Sequence, residues 1–165
     1  MRILFVCTGN TCRSPMAAIL ARRKIKERGL DWQADSAGLY AMEGEPMTLA
    51  AISAVSNPAK ESDKDEEAVS HLAQSVTGEH VEQSNLILTM TAHHAWELRR
   101  RYPQFAGKIQ ALGAFVQQIP SEPDPQYDIV DPYGGSDEQY RETAQQLNAL
   151  LDLLLDRLTQ PSQPN

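Results

Sequence analysis

Residues 2–15 read RILFVCTGNTCRSP and give the clearest indication of the fold. The start of this stretch, residues 2–6, is a short apolar run rich in strand formers, and the CTGN that follows has the chemistry of a tight turn. A helix is predicted next, because Ser14 can cap a helix and Pro15 suits the first helical position. The stretch therefore predicts a strand, a tight loop and a helix N-terminus in succession.

Strands and helices alternate along the rest of the chain. Further strands are predicted at 32–38, 86–90 and 109–112, and further helices at 47–56, 78–84, 92–102 and after Ser136. The last helix has the clearest pattern, since Ser136 and Gln139 form a capping box ahead of a leucine-rich face. Alternation of this kind predicts an α/β fold with an open, mostly parallel sheet.

Length and composition indicate one globular domain. The chain has 165 residues, of which 41% are hydrophobic and 22% charged, and a chain of this size can bury a core without staples. We expect residues 1–160 to form the domain and 161–165 a frayed tail. Residues 57–68 are charged and lack an apolar period, which predicts an exposed insertion, and the proline-rich 119–135 predicts a long loop.

Charge and hydropathy argue against several classes of protein. The net charge of −7 disfavours nucleic-acid binding, which draws its affinity from a basic surface. The chain contains no apolar run near the roughly 20 residues that span a bilayer, and its apolar start is too short for a signal peptide. The two cysteines, Cys7 and Cys12, cannot form a disulfide framework, so we expect a reducing, cytoplasmic setting without membrane attachment.

The loop at residues 7–14 has the features of an anion cradle that holds a nucleophile. It lies where a strand ends and a helix begins, so backbone N–H groups and the helix N-terminus converge there. Gly9 and Asn10 readily take positive φ, and Arg13 has a planar fork that matches two phosphate oxygens. A lone cysteine is usually a small buried hydrophobe, but this setting favours Cys7 thiolate, a nucleophile aimed at phosphorus.

The run VCTGNTCRSPMA (6–17) closely resembles the signature of the low-molecular-weight protein tyrosine phosphatases. That family also places an Asp-Pro pair before the last helix, where this chain has Asp131, and DSAG (35–38), SHLAQSVT (70–77) and LILTM (86–90) match its middle segments. The resemblance covers nearly the whole chain. It implies a single phosphatase domain with a three-layer fold, in which helices flank a four-stranded parallel sheet.

The resemblance also implies a mechanism without a cofactor or metal. Cys7 attacks phosphorus to form a phosphocysteine, Arg13 clamps the phosphate, and Asp131 acts as general acid and then as general base. Local sequence alone favours a turn aspartate at Asp131, because such residues are frequent in turns, and Asp124 and Asp128 are weaker candidates for the acid. The histidines form no recognisable metal-ligand pattern. His93 and His94 in particular are predicted to lie on a helix surface.

The family pattern extends to residues that shape and brace the loop. It implies a substrate-binding set made of Thr8, Gly9, Asn10, Thr11, Cys12, Ser14 and Tyr133. It also implies that Asn10 and Ser14 join Ser36 and His71 in a supporting hydrogen-bond network. Ser14 is either a donor to the thiolate or a plain N-cap, or both. Cys12 is either a packing residue or the partner of Cys7 in a protective, reversible disulfide.

Thr11 is informative about which phosphorylated residue, phosphoarginine or phosphotyrosine, is the substrate. Tyrosine phosphatases of this family usually have a bulky aliphatic residue there, whereas CTGNTCRSPM resembles the protein arginine phosphatases, a subset of the family. The resemblance favours phosphoarginine, whose guanidinium Asp131 could pair with, and leaves phosphotyrosine as the alternative. Two residues depart from the family pattern. Ala18 replaces a usual glutamate, which predicts a missing support on the first helix, and Asn85 replaces a common aspartate before the central strand.

Three rival functions remain less favoured. A thioredoxin-coupled arsenate reductase shares the fold but needs two further cysteines, which this chain lacks. A P-loop nucleotide binder needs a Gly-x4-Gly-Lys pattern, which is also absent. A non-catalytic module that binds phosphorylated residues would keep the cradle, but it would not need both a nucleophile and an acid.

Overall fold

The computed structural model describes residues 1–56, 65–119 and 124–160. Its centre is a four-stranded parallel sheet in the order β2-β1-β3-β4. The strands are β1 (Arg2–Cys7), β2 (Gln33–Gly38), β3 (Leu86–Thr89) and β4 (Ile109–Ala111). Strand β1 pairs with both β2 and β3, so Cys7 lies at the carboxyl edge in the middle of the sheet, beside Gly38 of β2. The predicted four-stranded parallel sheet is confirmed.

Seven α-helices accompany the sheet within the described residues. They are α1 (Arg13–Glu27), α2 (Leu49–Val55), α3 (Glu66–Ser70), α4 (Gly78–Gln83), α5 (Ala92–Arg101), α6 (Leu112–Val116) and α7 (Asp137–Thr159). The predicted helices are confirmed, and the capping box of Ser136 and Gln139 begins α7 as expected. Two short helices were not predicted, because five residues are too few to show an apolar period. None of the helices in the described part is both long enough and apolar enough to cross a membrane.

Both faces of the sheet are covered, which makes the fold three layers deep. Side chains alternate along β1, so Ile3 and Phe5 pack with helices α1, α2 and α7. Leu4 and Val6 point the other way and pack with α4 and α5. Two separate apolar clusters, one on each face of the sheet, therefore hold β1 in place. Their packing fixes the position of Cys7 at the end of β1, where the next loop begins.

Helix α1 begins differently from the prediction and ends as predicted. Its N-cap is Cys12, with no side-chain capping bond, so the interpretation of Ser14 as a cap is wrong. At the other end Gly29 takes φ 65°, the left-handed turn expected of a residue that terminates a helix. Ala18 is fully buried and belongs to the apolar cluster that packs α1 against the sheet. Asn85 accepts a hydrogen bond from the Arg2 N–H at 2.7 Å and thereby anchors the start of β1.

The charged insertion predicted at 57–68 is only partly described. Residues 57–64 and the predicted tail at 161–165 lie outside the described residues. The described end of the insertion is not an exposed loop, because Asp65 caps α3 by accepting a hydrogen bond from Ala68 N–H at 2.9 Å. Ala68 is fully buried against the core, whereas Glu66 and Glu67 are exposed, so the prediction of an exposed segment was wrong at Ala68.

Candidate active site

Cys7 lies at the floor of the loop that joins β1 to α1. Its side chain is 3% exposed, and its Sγ lies 3.2 Å from the backbone N–H of Asn10 and 3.0 Å from Ser14 Oγ. Asn10 takes φ 58°, which turns the loop back over the sulfur as predicted. Gly9 was expected to share that conformation and does not; a Cβ there would meet nothing closer than Thr11 Oγ1 at 3.7 Å.

A buried network around Asn10 holds the loop in this shape. The Asn10 side-chain amide donates to Ser14 Oγ and to Ser36 Oγ, both at 2.9 Å, and its Oδ1 accepts from Gln74 N–H at 3.0 Å. His71 Nε2 lies 2.8 Å from the Asn10 carbonyl oxygen, which can only accept, so the imidazole donates. Burial lowers the pKa of His71 below its ordinary value. The four residues of the predicted network are thus in contact.

Ser14 is part of the loop's interior and not a helix cap. Its hydroxyl contacts Cys7 Sγ and Asn10 Nδ2 and donates to the Ala37 carbonyl oxygen at 3.3 Å. The position has no exposure to solvent. The hydroxyl therefore links the Cys7 sulfur to the backbone of strand β2.

The end of β2 holds the other side of the loop through its backbone. Leu39 N–H donates to the Cys7 carbonyl and Tyr40 N–H donates to the Thr8 carbonyl, both at 2.9 Å. A Cβ on Gly38 would come within 2.6 Å of the Thr8 carbonyl oxygen and 3.1 Å of Asn10 N. Only glycine allows this close approach, so Gly38 belongs to the architecture of the loop.

Arg13 and Asp131 meet across the mouth of the cradle. The Arg13 side chain is 6% exposed, and its Nη2 lies 2.9 Å from Asp131 Oδ2. Its Nη1 donates to the Ile129 carbonyl at 3.1 Å, so the whole guanidinium faces the segment before α7. Asp131 is half exposed and also accepts the N–H of Tyr133 at 3.2 Å, a short turn that fixes its orientation.

The two weaker candidates for the acid have structural tasks elsewhere. Asp128 Oδ1 accepts the Ala92 N–H at 2.7 Å and so stabilises the start of α5. Asp124 accepts from Gln126 N–H at 3.0 Å and caps the short 3-10 helix Pro125–Tyr127. Neither is among the residues that line the cleft around Cys7. Of the three aspartates, only Asp131 reaches the cradle.

His94 was predicted to lie on a helix surface, and this prediction was wrong. The residue is 7% exposed, and its Nε2 lies 2.9 Å from Thr8 Oγ1 in the cradle loop. Burial, with a smaller contribution from the Arg13 guanidinium, lowers the pKa of His94 to about 4. Its Nδ1 is buried without a hydrogen-bond partner among the described residues. Nothing in the local pattern separates His94 from exposed His93, because both lie in a polar helix.

Cys12 faces a polar cluster beneath the loop. Its Sγ lies 3.4 Å from Tyr140 Oη, 3.6 Å from Thr48 Oγ1 and 3.7 Å from Thr11 Oγ1. Burial, with a hydrogen bond to Cys12, raises the pKa of Tyr140 to about 12. Cys7 and Cys12 are both free thiols.

The cradle opens into a cleft of about 240 Å³. Its lining residues are Cys7, Thr8, Gly9, Thr11, Cys12, Arg13, Tyr40, Met42, Glu45, Asp131 and Tyr133. Tyr133 is 72% exposed and forms part of the outer wall. Asn10, Ser14, Ser36 and His71 lie behind this lining as supports. Within the described residues, no cluster of histidine, cysteine and carboxylate side chains could hold a metal ion.

Comparison with known proteins defines the class to which this fold and site belong. The family model described as low molecular weight phosphotyrosine protein phosphatase matches residues 2–163. The chain therefore belongs to the low-molecular-weight phosphotyrosine protein phosphatase family. It is accordingly a cysteine-dependent hydrolase whose substrates are phosphorylated proteins.

Individual relatives divide between two substrate classes. A protein-arginine-phosphatase of Geobacillus stearothermophilus is 35% identical over 157 residues, 95% of each chain. A protein-tyrosine-phosphatase, PtpB of Staphylococcus haemolyticus, is 36% identical over 154 residues, 93% of this chain and 97% of its own. The arginine phosphatase YwlE, solved as a mutant with a phosphorylated active-site serine, superimposes with a TM-score of 0.84 at 31% identity and covers 98% of both chains. Overall sequence identity therefore does not distinguish phosphoarginine from phosphotyrosine as the substrate of this protein.

Proposed function

We propose that this protein removes phosphate from phosphoarginine in proteins, with Cys7 as nucleophile, Arg13 as phosphate clamp and Asp131 as general acid. The observation that carries the proposal is the placement of Cys7 Sγ beneath a cradle whose open side carries the Arg13–Asp131 pair. The solved structure of YwlE with a phosphorylated serine at its active site supports a covalent intermediate.

The chemistry takes two steps. In the first, Cys7 thiolate forms a bond to phosphorus as the bond from phosphorus to the guanidine nitrogen breaks, and protonated Asp131 gives its proton to that nitrogen. In the second, a water attacks the phosphocysteine, its proton passes to Asp131, and the sulfur leaves as thiolate. Arg13 and the loop N–H groups hold the phosphate oxygens in both steps.

Two features of the cleft favour phosphoarginine over phosphotyrosine. Asp131 lines the open side of the cleft, where its unprotonated oxygen can accept an N–H of the substrate's guanidinium while its other oxygen donates the proton. Thr11 lines the same cleft and is smaller than an aliphatic isoleucine, which leaves room for a bent guanidinium. A buried hydroxyl that pairs with one substrate and not another can shift specificity strongly. Tyr133 would form the wall beside the leaving group.

The deciding experiment compares kcat/KM for a phosphoarginine protein and a phosphotyrosine peptide, with Cys7→Ser as the inactive reference. We expect a preference for phosphoarginine that Thr11→Ile reverses by at least about tenfold. If the unchanged protein prefers phosphotyrosine, it is a tyrosine phosphatase and the phosphoarginine proposal is wrong. Phosphate binding without turnover of either substrate would leave a non-catalytic module that binds phosphorylated residues.

We also propose that Cys7 and Cys12 form a reversible disulfide that protects the nucleophile, and that the protein acts in the reducing cytoplasm. Both thiols belong to the same loop and line the same cleft. The nucleophile must be reduced to act, which suits a reducing compartment. Mild peroxide should abolish activity in a form that dithiothreitol restores. Cys12→Ser should lose that recovery, because its Cys7 would oxidise further.

A further inference from the structure

The outer face of α5, next to the catalytic cleft, carries a surface that the proposed chemistry does not use. A shallow second cleft is lined by Tyr40, His93, Trp96, Glu97, Arg100 and Arg101. Tyr40 lines both clefts, so the second one adjoins the cleft above Cys7. We define these six residues as the α5 patch.

An aromatic and cationic stack forms one part of the α5 patch. His93, Trp96 and Arg100 follow one face of the helix at spacings of three and four residues. The rings of His93 and Trp96 stack with centroids 5.6 Å apart, and the Arg100 guanidinium lies 4.7 Å from the Trp96 centroid. Trp96 is nevertheless 46% exposed. Exposed tryptophan beside arginine is the composition that protein interfaces favour.

The other part of the α5 patch is held rigid. The Arg101 guanidinium lies 4.7 Å from the centre of the Tyr40 ring, and its Nη1 donates to the Leu39 carbonyl at 3.0 Å. Glu97 accepts hydrogen bonds from both Tyr40 and Arg101. These contacts tie the segment after β2 to α5 and place Tyr40 at the junction of the two clefts.

The charges of the α5 patch favour an acidic occupant. Arg100 forms no ion pair with any carboxylate in the described part of the chain, and the single carboxylate of the patch, Glu97, is already paired with Arg101. The patch is therefore positive on a protein whose net charge is −7. That net charge repels acidic substrates at long range, so a local positive surface beside the cleft is where an acidic segment would gain attraction.

We infer that the α5 patch binds an acidic segment of the protein substrate, close in sequence to the phosphorylated residue, while that residue occupies the cradle. The inference rests on the proposed phosphatase function and adds a preference for sequence context. Aspartate or glutamate side chains of the substrate would pair with Arg100, and the apolar parts of the segment would cover the exposed face of Trp96.

The test uses two phosphopeptides that differ only in flanking residues, one acidic and one neutral, carrying whichever phosphorylated residue the enzyme turns over faster. Arg100→Glu should lower kcat/KM for the acidic peptide by about tenfold at low salt and for the neutral peptide by less than about twofold. Lys26→Glu is the matched control, because it makes the same charge change near the far end of α1, about 20 Å along the helix from Arg13. It should affect both peptides alike.

A binding measurement separates this inference from the proposed function. The dissociation constants of both peptides are measured for Cys7→Ser, with and without Arg100→Glu. Loss of affinity for the acidic peptide alone would support the α5 patch even if the wild type turned over neither peptide, in which case only the proposed function would fail. Equal effects of Arg100→Glu on both peptides, or equal effects of Arg100→Glu and Lys26→Glu, would overturn the inference.

Discussion

Arg13 and Asp131, separated by 118 positions in the sequence, form an ion pair whose Nη2 and Oδ2 atoms are 2.9 Å apart. Arg13 is buried and Asp131 is half exposed, so the pair joins the interior of the cradle to its solvent-facing rim. The remaining Arg13 bond goes to the Ile129 carbonyl in the same segment. A phosphate that enters the cradle must therefore compete with the Asp131 carboxylate for the guanidinium.

This competition predicts opposite effects of Asp131→Asn on turnover and on phosphate binding. Loss of the proposed general acid should lower kcat by about 10²- to 10³-fold, and more for poor leaving groups than for p-nitrophenyl phosphate. Inorganic phosphate should inhibit the variant roughly two- to fivefold more strongly, because a partly exposed carboxylate no longer competes with it. Steady-state kinetics with phosphate as inhibitor measure both. Weaker phosphate inhibition in the variant would contradict the competition.

Gly38→Ala should distort the loop at residues 7–14, although Gly38 itself lies at the end of β2. The added Cβ would lie 2.6 Å from the Thr8 carbonyl oxygen and 3.1 Å from Asn10 N, so the cradle backbone must shift. We expect kcat/KM to fall by about a hundredfold, since misplacement of about an ångström has that effect on catalysis. Gly107→Ala is the control, because a Cβ there meets nothing within 4 Å. Similar kinetics for the two variants would show that the cradle tolerates the contact.

Ser14→Ala should slow the second chemical step more than the first. The Ser14 hydroxyl lies 3.0 Å from Cys7 Sγ, and its proton can turn from the Ala37 carbonyl to the sulfur as the sulfur leaves as thiolate. The phosphocysteine should therefore accumulate, and rapid quenching should trap a larger phosphoenzyme fraction than in the wild type. The variant also leaves Asn10 with one bond fewer, so its melting temperature is measured alongside. A fall in kcat without accumulated phosphoenzyme would assign Ser14 a structural role only.

The pKa of His94, lowered from 6.5 to about 4 by burial, predicts an acid-dependent loss of stability. Between those two values the unfolded chain binds a proton that the folded protein does not, so the free energy of unfolding falls as pH falls from about 6.5 to about 4. The loss from this residue is at most about 3 kcal/mol. Above the ordinary value, His94 has no effect of this kind.

His94→Gln isolates that contribution. Glutamine can retain a hydrogen bond to Thr8 Oγ1, which lies 2.9 Å from the imidazole Nε2, but it does not titrate. Urea unfolding at pH 7 and pH 4.5 should show a smaller difference for His94→Gln than for the wild type. His93→Gln, which changes the exposed neighbour, should behave like the wild type. A difference for His94→Gln as large as that of the wild type would mean that the buried imidazole charges freely.

Local sequence was sufficient for most of the secondary structure and for the loop between β1 and α1. The apolar run at 2–6 and the turn residues after it predicted β1 and its loop, and the capping residues predicted the start of α7. Prediction failed where a short segment has no period, as in α3 and α6. It failed again at Gly9, where composition suggests positive φ but the fold requires it only of Asn10.

Local sequence is enough to predict the strand, loop and helix that place Cys7 and Arg13 in one cradle, because these residues are six positions apart and share a local backbone path. Which aspartate faces Arg13 and which histidine is buried against Thr8 depends on the tertiary fold. Those contacts join residues 118 and 86 positions apart, and they exist because parallel strands bring their carboxyl ends to one edge of the sheet. Periodicity and capping patterns indicate only the local backbone conformation around each residue. Contacts between distant residues depend instead on strand order and on the packing of whole helices.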